Sequence, residues 1–326
     1  MKKILSVTAI VLVALMTVTA CAPKTVEEDR HTFKLGGLKG PTSMGLAPLV
    51  SDALEGKEAF DVEFDLVASP EEIVPKIVRG DCELAALPAN LASTLYNKTE
   101  GGIVTLAINT LGVLDIVENG HTVHALSDLS GRTLYASGEG AVPEYVIRLL
   151  LERSGIDPDR DVTIEWMAEH GAIVAQLLAE PGAVGLLPQP FVTVAMKKNA
   201  ELRLALDLND DWIRLVPEAG LVMGVLVAQK ETVEQHPEAV DAFLKRYREA
   251  IQFTNDHPGE TSLMVEALDV FDAKISEAAI PYCNIHYADG DAMKQQLKGF
   301  LELLSSMNPQ AIGGNMPADD FYYRAK

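Results

Sequence analysis

Residues 33–42 read Phe33-Lys34-Leu35-Gly36-Gly37-Leu38-Lys39-Gly40-Pro41-Thr42. A short apolar strand runs into a glycine-containing loop, and Pro41-Thr42 then opens a helix over residues 42–54. The same grammar continues downstream. Residues 62–67 alternate apolar and acidic, and Ser69-Pro70-Glu71-Glu72 starts a helix with a capping residue, a proline and first-turn acids. A strand follows over residues 83–87, a helix over 89–96 and a strand over 103–109. The order βαβαβαβ is that of a mostly parallel sheet covered on both faces.

A second run repeats the pattern. Strands are expected over residues 132–136, 162–166, 184–187 and 202–206, with helices over 143–154, 172–179 and 191–198 between them. One more apolar strand spans 221–228, and four helices follow over 237–255, 260–268, 275–280 and 292–307. The tail, Gly313-Gly314-Asn315-Met316-Pro317, reads as loop. Two α/β units and a helical end fit an α/β protein of two lobes whose chain crosses between them twice. The crossings fall near Thr110-Leu111-Gly112 and Met223-Gly224, where glycine suits a hinge. The expected organisation is therefore 32–111 plus 224–326 for lobe 1 and 112–223 for lobe 2.

Upstream, Met1-Lys2-Lys3 is a basic start, residues 4–18 are almost uncharged and apolar, and Val18-Thr19-Ala20-Cys21 follows. This is the layout of a secretory leader, and it is too short for a membrane span. Residues 1–20 are read as signal peptide and 21–31 as a polar tether. The formal charge of the chain is −20, and loss of Lys2 and Lys3 with the leader takes it to −22. So acidic a surface repels phosphate backbones and excludes nucleic acid as a partner. Cys82 and Cys283 lie far apart with no CxxC spacing, and read as unpaired small hydrophobes, with a bridge between them as the alternative.

Ligands of such folds sit at strand carboxyl ends, against helix starts. After the first strand, Lys39, Thr42 and Ser43 offer a cation and two hydroxyls at a helix start, suited to a carboxylate, sulfonate or phosphate; a capped helix with a solvated lysine is the alternative. Asn90 and the Asn109-Thr110 pair supply donors and acceptors, or act as caps and turns. In the second lobe Ser137, with Glu139 or Glu144, suits an amine, and Gln189 stands between two prolines. Gly138-x-Gly140 lacks the third glycine and the strand-end acid of a dinucleotide fingerprint. His121 and His124 lack neighbouring acids for a metal site, and no nucleophile–base spacing is present. No cofactor and no catalytic residue are expected.

The Val-Thr-Ala-Cys box resembles a bacterial lipobox, which implies lipidation of Cys21 and an anchored position on the outer face of the membrane. The segments Leu38-Lys39-Gly40-Pro41-Thr42, Leu87-Pro88-Ala89-Asn90-Leu91-Ala92, Asn109-Thr110-Leu111-Gly112-Val113 and Leu187-Pro188-Gln189-Pro190 resemble the solute-binding lipoproteins of ABC importers. The nearest branch is the nitrate/sulfonate/taurine type, which includes receptors for thiamine precursors. That resemblance implies a periplasmic-binding-protein type II fold with two mainly parallel sheets, a hinge and a helical C-terminus. It also implies a monomeric receptor that captures a small polar, anionic or zwitterionic molecule and delivers it to a permease with its ATPase. An exported enzyme or sensor on the same fold, acting on a small heterocycle, is the alternative.

Overall fold

The computed structural model describes residues 30–324. The leader, Cys21 and nearly all of the expected tether lie outside them.

Strand β1 (Thr32–Leu38) buries Phe33 and Leu35 and passes through Gly36 and Gly37 to the loop at Lys39. The single helix expected next is two pieces, α1 (Pro41–Met44) and α2 (Ala47–Leu54). Gly45 between them is a packing position: a Cβ there would stand 2.9 Å from Ile285 and 3.1 Å from Ile251. Strand β2 (Asp61–Val67) leads to α3 (Pro70–Arg79), which ends in left-handed Gly80 at φ 79°. Strand β3 (Leu84–Pro88), α4 (Ala89–Lys98) and the fully buried β4 (Ile103–Thr110) complete the first run.

The crossing 111–113 is followed by β5 (Leu114–Glu118), a strand the periodicity did not single out. Next come β6 (Thr133–Ser137), α5 (Val142–Arg153), β7 (Thr163–Met167), α6 (His170–Ala179), β8 (Val184–Pro188), α7 (Phe191–Lys198) and β9 (Arg203–Asp207). Helix α8 (Leu208–Leu215) is capped by Asp207, whose carboxylate accepts from the N–H groups of Asn209 and Asp210. The second crossing enters β10 (Gly224–Gln229). Helices α9 (Lys230–Gln235), α10 (Pro237–Asp256), α11 (Pro258–Ala267) and α12 (Ala273–Ala279) follow, then β11 (Ile285–Ala288) and α13 (Gly290–Met307).

The strands form two sheets, ordered β11-β4-β10-β3-β1-β2 and β7-β6-β8-β5-β9. They are mixed rather than mainly parallel in their pairing. β10 runs antiparallel between β3 and β4, and β5 runs antiparallel between β8 and β9. Of the three reversed strands, β5 and β10 are entered directly from a crossing, and β11 is the third, antiparallel to β4 at the sheet edge. A chain that leaves one sheet at its carboxyl edge enters the next sheet at the facing edge, so it must run the other way. The carboxyl ends of β1–β4 and of β6–β9 thereby flank the same crossings.

One apolar cluster is continuous across both sheets, from Leu87 and Ile108 through Leu114 and Ile116 to Leu134 and Val146. Two further clusters cover the outer faces, around Phe33, Phe243 and Tyr247 in one sheet and around Ile173 and Val192 in the other. The tail is more ordered than a loop reading suggests. Ser93 Oγ and Asn97 Nδ2 donate to Ile312 O at 2.8 and 3.0 Å, and Tyr322 bridges to Thr105 beside β4. Cys82 and Cys283 are both free thiols and buried, as two unpaired hydrophobes would be.

Candidate functional site

The loops after β1 and β3, both crossings and the start of α5 enclose a cavity of about 400 Å³. Four of the residues singled out from sequence line it: Lys39, Thr42, Asn90 and Thr110. Ten of its fifteen lining residues are apolar, among them Pro70, Leu91, Val113, Val142 and Met223. Those walls were missed because each residue alone is an ordinary core or turn residue. Only convergence of loops distant in sequence makes them a surface.

The four polar liners differ in how much of their bonding capacity is committed. Lys39 Nζ lies 2.9 Å from Asp269 Oδ2 in an exposed pair, so its charge is already matched within the protein. Asn90 Nδ2 donates to Ala311 O at 3.2 Å, tying the cavity wall to the tail. Thr110 is buried and its hydroxyl donates to Asn109 Oδ1 at 3.0 Å. Helix α1 has a single turn, too short to concentrate a macrodipole on an anion. The anion cradle expected after β1 thus reduces to one paired lysine and the Thr42 side chain.

The remaining site expectations are placed elsewhere. Ser43 is 1% exposed and sits behind β1, its hydroxyl 2.6 Å from where a Gly37 Cβ would be. Asn109 is also 1% exposed, and its Nδ2 donates to Thr42 O at 3.4 Å, clamping α1 to β4. Ser137 Oγ lies 2.6 Å from His170 Nδ1, and burial lowers the pKa of that imidazole below its ordinary value. Glu139 is exposed on its loop. Glu144 pairs with Arg148 at 2.7 Å and accepts from Gly140 N at 2.6 Å. Gln189 is buried beside Asp115, away from the cavity.

Both crossing glycines are packing positions, and neither has a positive φ. A Cβ on Gly224 would lie 2.4 Å from Asn109 Oδ1 and 2.6 Å from Thr42 Cγ2; on Gly112 it would lie 2.6 Å from Asn209 Oδ1. Asn284 Nδ2 also donates to Gly112 O. Glycine is used there because backbone and side chains approach closely, the reason it also serves near ligands.

A solved ABC transporter structure from Parabacteroides distasonis superimposes on the chain with a TM-score of 0.76 at 25% identity, covering 90% of this chain and 99% of that one. The protein has the two-lobed fold of ABC-importer solute-binding proteins. The periplasmic aliphatic sulphonate binding protein SsuA from Escherichia coli aligns with a TM-score of 0.70 at 12% identity, over 91% of this chain and 93% of that one. The desulfurization enzyme DSZB shares the fold at a TM-score of 0.61 and 13% identity, over 90% and 96% of the two chains. The NMT1/THI5-like family model matches residues 102–261. No curated protein matches the sequence. The resemblance drawn from the loop segments, to nitrate/sulfonate/taurine-type solute-binding proteins, is borne out by these findings. No helix of the described residues is long and apolar enough to cross a membrane.

Proposed function

We propose that the protein is an extracytoplasmic receptor lipoprotein, held by lipid on Cys21, that binds one small molecule between its lobes and passes it to an ABC permease. Residues 32–111 with 224–326 make one lobe and 112–223 the other, each built on one sheet. The observation that carries the reading is the cavity of about 400 Å³ walled by loops from both sheets. A ligand there touches both lobes at once, so its contacts favour the closed arrangement over the open one, which is what a delivered cargo requires.

The wall chemistry supports one ligand class. A predominantly apolar body fits Pro70, Leu91, Val142 and Met223, with polar groups facing Thr42, Asn90 and Thr110. An anionic group there shares the Lys39 ammonium with Asp269, which weakens the case for an anion compared with a free lysine.

An exported enzyme is the second reading. Its support is the 2.6 Å contact between Ser137 Oγ and His170 Nδ1, a nucleophile and a base within hydrogen-bond reach. Neither residue lines the cavity.

Thermal-shift screening of a metabolite library tests both. A ligand at 100 times its Kd adds about 2.7 kcal/mol of stability. Small-angle scattering with that ligand should then give a smaller radius of gyration, and mass spectrometry should recover the ligand unchanged. Turnover would favour the enzyme, and an unchanged scattering profile at saturation would refute the closing receptor.

A further inference from the structure

A second cavity lies on the other side of Val113 from the cleft. The Val113 side chain lines the cleft, while its carbonyl accepts the backbone N–H of Gln189 at 2.9 Å. Gln189 lines this second space, which has a volume of about 360 Å³. One wall is α7 and β9, with Val192, Met196 and Leu204; the other is Ala278 on α12 and Tyr282. The two walls follow different crossings of the chain, so an occupant would touch elements of both sheets' halves.

Its walls are apolar and its polar atoms are gathered in one place. Thr193 Oγ1 donates to Gln189 Oε1 at 2.8 Å, and Gln189 Nε2 donates to Asp115 Oδ2 at 3.4 Å. Gln189 and Thr193 line the cavity floor, and Asp115, 5% exposed, stands behind Gln189 without lining the cavity itself. Asp115 stands directly opposite Asp207 in the β5–β9 pairing. Among the described residues no lysine or arginine pairs with either carboxylate. The groups facing Asp115 are Asp207 from β9, Gln189 from the loop before α7 and the Cys283 thiol that follows Tyr282. Lys197 lies at the rim, where its ammonium donates to Lys274 O.

We propose that this crevice is a second ligand site, which takes a small organic ammonium with an apolar body. The ammonium donates to Gln189 Oε1 and Thr193 Oγ1, both of which keep lone pairs for it, and its charge offsets the Asp115 and Asp207 carboxylates behind them, neither of which has a cationic side-chain partner among the described residues. The apolar body covers Met196 and Tyr282, which are 37% and 59% exposed. An anion in the same place would face two carboxylates, and a neutral isostere would gain nothing from them. Burial, and after it the charge of Asp207, pushes the Asp115 carboxyl up to about 8, so the ammonium binds as that proton leaves. The site is independent of the identity of the cleft ligand.

The test uses 2-phenylethylamine against 2-phenylethanol with the full chain, by calorimetry at pH 6.0 and 8.5. The amine stays cationic at both values. It should bind at least about tenfold more tightly at pH 8.5, with proton release visible as a dependence on buffer ionisation enthalpy. The alcohol should bind at least tenfold more weakly than the amine. Asp115→Asn should abolish the pH dependence, and Met196→Trp, which fills the cavity without touching a charge, should abolish amine binding. Thr193→Val should weaken the amine severalfold if Asp115→Asn fails to fold. Equal binding of alcohol and amine, no amine binding at pH 8.5, or amine binding unaffected by Met196→Trp would overturn the site; the last would assign the amine to the acidic surface.

Discussion

Asp115 offers a direct measurement of what a buried carboxyl costs this fold. Its pKa is raised from 3.8 to about 8, first by burial and then by the charge of Asp207, with the Gln189 hydrogen bond opposing. The unfolded chain loses this proton near pH 3.8 and the native chain keeps it until about pH 8. Between those values the native state holds one proton more than the unfolded state. Stability therefore falls as pH rises, by about 1.4 kcal/mol per unit for a single group. The window of about four units bounds the total at roughly 6 kcal/mol, a large fraction of a domain's 5–15 kcal/mol.

Asp115→Asn keeps the shape and removes the ionisation, and the Asn oxygen can still accept from Gln189. The variant should match the parent near pH 4 and gain on it steadily up to pH 8, with no further gain above. Urea unfolding at pH 5, 6, 7, 8 and 9 reads the difference directly. With a slope near 3 kcal/mol per molar, each pH unit should separate the midpoints by about half a molar. Parallel curves with a constant offset would refute the reasoning, since they would mean that Asp115 titrates alike in both states.

The other predictions concern the crossings, the cleft and the anchor. Gly224→Ala should cost about 1–3 kcal/mol through overpacking against Asn109 and Thr42, and should weaken cleft binding with it; unchanged melting would show that the crossing is looser than its contacts imply. Asn90→Ala should lower stability by about 1 kcal/mol through loss of the Ala311 bond, and calorimetry with the cleft ligand should show a further loss of affinity; a melting effect alone would make Asn90 a tail clamp. Lys39→Ala should leave the melting temperature nearly unchanged, because its partner is an exposed carboxylate, and a large drop on thermal melting would contradict that. Cys21→Ser should release the protein from the membrane fraction or leave it unprocessed, and normal retention would count against the lipid anchor.

Much of the architecture was legible locally. Strands such as β1 and helices such as α3 are written in alternation, proline and first-turn acids, which act within a few residues. The segments that escaped notice are those whose signal is not local. β5 is Leu-Asp-Ile-Val-Glu, and its central place between β8 and β9 buries both of its acids, so neither face reads as solvent. β11 is four residues long and exists because β4 offers it an edge. The need for glycine at position 45 follows from Ile251 and Ile285, which lie far ahead in the chain.

The cleft divides the same way. Lys39, Thr42, Asn90 and Thr110 were readable because they end strands or open helices, and the loop order alone puts those positions on one edge. That Ser43 and Asn109 turn inward, that Glu144 is spent on Arg148, and that Lys39 meets Asp269 could not be read, because each depends on which distant side chain arrives first. The sequence by itself determined the alternation of elements, the two crossings and the polar residues at strand ends, since periodicity and turn chemistry act over short range. Tertiary structure decided strand direction within the sheets, the apolar walls of the cleft and the burial of Asp115. Those are set by which segments, separated by dozens to hundreds of residues, exclude water from one another.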